Sequence, residues 1–102
     1  MVNIEVSYKH GAIRSIKASG HADSAPAGHD LVCAAISAII LGGFNALREN
    51  KYRFEVHDGF GSVEVLRNPG TRDATVLETI VTQLESVAES HPDNASLERK
   101  HE

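Results

Sequence analysis

The side chains able to act as a nucleophile or to carry a proton gather in one short stretch. Cys33 is the single cysteine of the chain, and His21 stands 12 residues before it with Asp30 between them. A lone thiol closes no internal disulfide and supplies no second thiolate to a metal, so sulfur chemistry here is that of one thiol. Acyl transfer needs a nucleophile, a base to take its proton, and donors for the oxyanion formed when a carbonyl is attacked. Asp30 directly precedes a long apolar run and suits a helix N-cap, its carboxylate accepting from first-turn N–H groups that include those of Val32 and Cys33. On that reading Leu31 is the first helical residue and Cys33 the third. The positive end of the helix dipole favours a thiolate there, and amides of the same turn can donate to an oxyanion. His21 follows Gly20 at the end of a strand, and a flexible connection can fold back to bring imidazole to sulfur.

Other uses of the same residues stand beside this one. A buried cysteine on an apolar helix also serves packing alone. A negative Asp30 opposes a nearby thiolate and, by capping, occupies a donor that an oxyanion needs; its expected task is to fix the start of the helix and thereby the position of the sulfur. His29 and Cys33 lie four apart, and His21 and His10 are conceivable partners in a zinc site. No carboxylate or second cysteine stands at a familiar zinc spacing, so neither a metal nor a cofactor is expected. His57, His91 and His101 fall in turn or terminal contexts and read as solvated side chains.

The elements that must position these residues follow from periodicity. Val2, Ile4, Val6 and Tyr8 alternate with polar residues, the period of a strand with one buried face. His10-Gly11 makes a turn into a second strand over 12–19, in which Ile13 and Ile16 differ in parity, as a bulge would cause. Residues 20–30 are small, polar and punctuated by Pro26, and read as a mobile loop. Residues 31–47 are almost wholly apolar and too long for a strand, so they read as a buried helix. Gly42-Gly43 weaken that helix but permit close approach, which suits a crossing at an interface. Tyr52, Phe54 and Val56, then Asp58-Gly59, then Val63 and Val65 form a second hairpin. Leu77, Ile80, Val81, Leu84, Val87 and Ala88 mark an amphipathic helix over 71–90, which must end by His91 because Pro92 follows.

The expected fold is α+β: two antiparallel hairpins in one sheet with two helices packed on it, in the order ββαββα. A chain of 102 residues accommodates one domain, placed at 1–92, with a polar tail over 93–102 that holds a short strand around 95–97 or is disordered. One helix apolar on nearly all sides keeps a face that the sheet does not cover, and a homodimer is the simplest cover. With 14 acidic against 10 scattered basic residues, a net charge of −4, no nucleic-acid surface is expected. No apolar run reaches the roughly 18 residues needed to span a bilayer, and Met1-Val2-Asn3-Ile4-Glu5 lacks the basic start of a signal peptide. A soluble, cytoplasmic protein without a membrane partner is expected.

The stretch Gly20-His21-Ala22, then Gly28, Asp30, Val32-Cys33-Ala34-Ala35 and Ser37 resembles the motif of the ribosomal-processing cysteine proteases, Prp, and the order of elements resembles that family over the whole chain. The resemblance implies a cysteine endopeptidase that removes the amino-terminal extension of a large-subunit ribosomal protein, number twenty-seven, during bacterial ribosome assembly. It implies Cys33 as nucleophile and His21 as general base, with Gly20, Ala22, Gly28, Asp30, Ala34 and Ser37 shaping the site or binding substrate. It also implies a homodimer with a mobile loop between the two catalytic residues. The segment Asp23-Ser24-Ala25-Pro26-Ala27 lacks the Gly-Tyr type of residue found after Gly-His-Ala in the family, which bears on substrate preference and rate. A peptide is expected to bind extended beneath the 22–29 loop, and without it the histidine is expected to lie beyond hydrogen-bond reach of the sulfur. A non-catalytic partner-binding domain in ribosome assembly would keep the same groove.

Overall fold

Alternation carries the first hairpin as expected. β1 (Val2–Lys9) buries Val2, Ile4 and Val6 and turns its odd residues toward solvent, while β2 (Ala12–Ser19) buries Ile16 and Ala18. The turn between them places both His10 (φ 53) and Gly11 (φ 78) in the left-handed region, the backbone of the two-residue turns that match strand twist. The parity change in β2 is a register shift: Ser7 pairs Ser15 but Tyr8 pairs Ile13, so Arg14 is the extra residue. The computed structural model describes all residues except 23, 24 and 27–29.

After β2 come α1 (Leu31–Ala46), β3 (Tyr52–His57), β4 (Phe60–Val65), α2 (Thr71–Ser90) and β5 (Ala95–His101). The five strands form one sheet in the order β3-β4-β2-β1-β5, with β5 parallel to β1 and the other pairs antiparallel. The order is therefore ββαββαβ and not ββαββα. The correction lies in the tail: the strand expected around 95–97 runs on to His101. Local pattern understates it because Ala95 and Leu97 are its only inward apolar residues, and its pairing partner β1 lies at the other end of the chain.

Both helices cover one face of the sheet. Val32, Ile36, Ile40 and Phe44 of α1 and Leu77, Ile80, Val81, Leu84 and Ala88 of α2 join the inward side chains of β1, β2 and β4 in one core. A fully buried aliphatic side chain contributes about 1.5–3 kcal/mol, so this layer carries most of the stability. Gly43 has its close approach inside the chain: a Cβ there would overlap Ile80 Cγ1 of α2, whereas Gly42 faces open space. The helix crossing expected at an interface is thus, for Gly43, the α1–α2 contact of one chain. α2 stops where predicted, the His91 N–H donating to Val87 O just before Pro92.

One buried charge ties the helical layer to the second hairpin. Asp73, in the first turn of α2, is 1% exposed. It accepts from the N–H groups of Arg48 (3.0 Å) and Glu49 (3.0 Å), the Tyr52 hydroxyl (2.8 Å) and Arg72 Nη1 (3.0 Å). Burial alone would raise its carboxyl, but the Glu49 amide, the Tyr52 hydroxyl, the Arg48 amide and the Arg72 guanidinium together hold it below the ordinary value. The Tyr52 hydroxyl is pushed above its ordinary value, first by burial and then by the Asp73 charge it faces. The α1–β3 connection is therefore nailed to α2, and with it the hairpin that walls the groove described next.

Candidate active site

Asp30 is the N-cap of α1, in extended conformation (φ −85, ψ 99), and its Oδ1 accepts the Cys33 N–H at 2.9 Å. Ala34 N–H already reaches Asp30 O at 3.0 Å, the first intrahelical bond. Cys33 consequently sits in the first turn, half-buried and unoxidised, over the positive end of the helix. Capping does occupy a donor, as the charge argument anticipates, and it is the cysteine's own amide. The amides of Leu31 and Val32 also precede any intrahelical acceptor.

The sulfur's donor comes from the other side. Ala22, 2% exposed, anchors the chain leaving β2 in the core, and its N–H points at Cys33 Sγ at 3.1 Å. An N–H aimed at sulfur donates to one of its lone pairs and fixes where the sulfur stands. Asn94, in the turn between α2 and β5, donates through Nδ2 to Ala22 O at 3.0 Å. His21 therefore directly precedes the residue that holds the sulfur, and its ring is exposed. That ring lies against Gly59 of the β3–β4 turn (φ +72): a Cβ built on Gly59 would come 2.9 Å from His21 Nε2. The Gly20 N–H donates to Gly59 O at 2.9 Å and locks the two segments together. Among the described residues the sulfur is bonded by the Ala22 amide, and no imidazole–sulfur hydrogen bond is formed.

A groove of about 200 Å³ opens from Cys33 between α1 and the second hairpin. Ile36, Ser37, Ile40 and Leu41 form one wall, and Val56 through Gly61 the other. Leu41 (48% exposed) and Val56 (49%) stand at its rim with Phe54 close by (47%). Ser37 lies one turn beyond Cys33 and lines the groove, while Ala34 is exposed on the neighbouring face. Gly20 and Ala22 flank His21 as described; Gly28 and His29 lie outside the described residues, as do Asp23, Ser24 and Ala27. Among the described residues no three His, Cys, Asp or Glu side chains converge as a metal site would require. His57, His91 and His101 are exposed. His57 stacks on Phe60 and pairs with Glu55, and His101 stacks on Tyr8. Asn94 and Gly59 are absent from the motif around Cys33; Asp58-Gly59 is legible as a turn, but nothing local tells that the turn meets His21.

Comparison with known proteins points the same way. The family described as cysteine protease Prp matches residues 1–96. The ribosomal processing cysteine protease Prp of Mycoplasma genitalium is 34% identical over 95 residues, 92% of this chain and 91% of that one. The Staphylococcus aureus protein of the same name is 24% identical over 106 residues, covering 98% and 100% of the two chains. A crystal structure of an essential ribosomal processing protease Prp from S. aureus, with a covalently linked product peptide, superposes with a TM-score of 0.91 at 25% identity, over 98% of this chain and all of that one. Since the matched span takes in both hairpins, both helices and the Cys33 turn, this chain belongs to the cysteine protease Prp family.

Proposed function

We propose that this protein is a Cys–His endopeptidase that removes the amino-terminal extension of a large-subunit ribosomal protein, number twenty-seven, in the bacterial cytoplasm. The observation that carries this reading is the placement of Cys33 Sγ. It lies in the first turn of α1, bonded by the amide that directly follows His21, at the end of an open groove. A buried packing cysteine has no need of either the donor or the groove. Cys33 Sγ attacks the scissile carbonyl after giving its proton to His21. The oxyanion is received by the first-turn amides of Leu31 and Val32, because the Cys33 amide is engaged by Asp30 and the Ala22 amide by the sulfur. His21 protonates the leaving amine, and the C–N bond breaks to give an acyl-enzyme. The same imidazole then takes a proton from water as it adds to the thioester, and the thiolate leaves. The aliphatic walls of the groove suit apolar side chains flanking the cut.

Mass spectrometry after incubation with the extended ribosomal protein tests this. A new amino terminus is expected with the wild-type chain and not with Cys33→Ala. A substrate that is bound but left intact would make the protein a partner-binding module instead, and a cut that survives Cys33→Ala would remove the sulfur from the chemistry. We also propose that the chain is a homodimer. Support comes from the exposed stripe Ala34, Ala38, Leu41 and Gly42 on α1, next to exposed Phe54 and Val56. Sedimentation equilibrium at micromolar concentration is expected to return twice the chain mass, and a monomer there would refute it.

A further inference from the structure

We propose that Asn94 is a positioning residue for the sulfur: its side-chain amide holds the Ala22 carbonyl so that the Ala22 N–H is aimed at Cys33 Sγ. This rests on the endopeptidase reading for its effect on turnover, but not for its effect on the thiol.

Asn94 is bonded on three sides. Its N–H donates to His91 O at 3.0 Å, its carbonyl accepts from Val2 N–H at 2.9 Å, and its Nδ2 donates to Ala22 O at 3.0 Å. The first two bonds fix its backbone to the end of α2 and the start of β1, both rigid elements. Its side chain is thus a short strut with one free end, and that end meets Ala22. Ala22 follows the last residue of β2 by only three positions, beyond the ladder of strand hydrogen bonds. A carbonyl held at one end of a residue restricts the rotation of the amide at the other. Since that amide stands 3.1 Å from Sγ, the strut sets the angle at which the N–H meets the sulfur. Among the described residues, Asn94 Nδ2 is the donor that meets the Ala22 carbonyl, and it does so across 72 residues of chain.

A well-aligned N–H makes the stronger hydrogen bond, and a bond to a charged acceptor is about twice as strong as a neutral one, so alignment counts most while the sulfur bears negative charge in its attack. Asparagine fits the task because its amide donates without charge. An aspartate of the same shape would present an acceptor to an acceptor and repel the carbonyl.

The test compares wild type with Asn94→Ala and the isosteric Asn94→Asp, following alkylation of Cys33 by iodoacetamide at neutral pH, kcat and KM for peptide cleavage, and melting temperature. Alkylation and kcat are expected to fall about tenfold with KM within twofold, at least as far in Asn94→Asp as in Asn94→Ala, and Asn94→Gln is expected to recover part of the loss. Alkylation and kcat at wild-type values in the folded variants would overturn the proposal and reduce Asn94 to an anchor for β5. If Asn94→Ala does not fold, Asn94→Asp decides on the same readings. A wild-type chain that cleaves nothing but still shows Asn94-dependent alkylation would uphold the strut and end the endopeptidase reading; cleavage with alkylation and kcat indifferent to Asn94 would do the reverse.

Discussion

His21→Ala is expected to lower kcat for peptide cleavage by about 10²–10⁴-fold, the span over which a positioned general base contributes. Peptide affinity should hold, because the groove walls come from α1 and the second hairpin and not from the ring. Gly59→Ala should reproduce part of this loss with His21 and Cys33 both left in the sequence. Its methyl would press on Nε2 from 2.9 Å, so the ring must leave its seat. The left-handed backbone at Gly59 adds a stability cost of about 1–2 kcal/mol, which could by itself be mistaken for the cause. Gly11→Ala separates the two: its φ is +78, but nothing lies within 4 Å of the added methyl. Gly11→Ala should therefore lower the melting temperature about as much and leave cleavage intact. Equal catalytic losses in the two variants would show that stability, and not the seat of the ring, governs turnover.

The largest stability effect is expected at Asp73. Asp73→Ala leaves two backbone N–H groups and a hydroxyl without their acceptor, while Arg72 Nη1 keeps Ala46 O, and buried donors stripped of a partner are among the costliest single changes. A fall of about 10 °C or more in melting temperature is expected. The α1–β3 connection would loosen, and cleavage should decline with it, since β3 and β4 wall the groove. The pH dependence has a definite sign. The native carboxyl lies below its ordinary value, so the unfolded state takes up a proton first as pH falls. The stabilisation from Asp73 is complete above the ordinary aspartate value and drains away as pH drops through the lower native one. Asp73→Asn should flatten that part of the acid limb in denaturant melts; an acid limb of unchanged slope would show that other carboxylates carry it.

What could be read from the chain divides by distance along it. The start of α1 and its cap are local: Asp30, two intervening residues and Cys33 suffice to place the sulfur in a first turn. Both hairpins and the end of α2 at Pro92 are local in the same sense. What escaped is held together over long separations. Asp73 reads as one more polar residue in an amphipathic helix, and only the folded chain brings Arg48, Glu49 and Tyr52 onto it. Asn94 reads as a polar tail residue until it is seen beneath Ala22. Gly43 reads as a seat for a second subunit because its neighbour Ile80 belongs to a helix nearly forty residues away. The resemblance around His21 and Cys33 singles out those two side chains. It says nothing of the glycine behind the imidazole or the asparagine behind the amide.

The parallel pairing of β5 with β1 sets an order of events in time. Val2 meets Ala95 and Ala22 meets Asn94, contacts whose closure spans most of the polypeptide and is accordingly slow. In a nascent chain Cys33 emerges well before Asn94, so the strut beneath Ala22 arrives only after β5 has followed and docked on β1. The sulfur is therefore made well ahead of the group that aligns its donor.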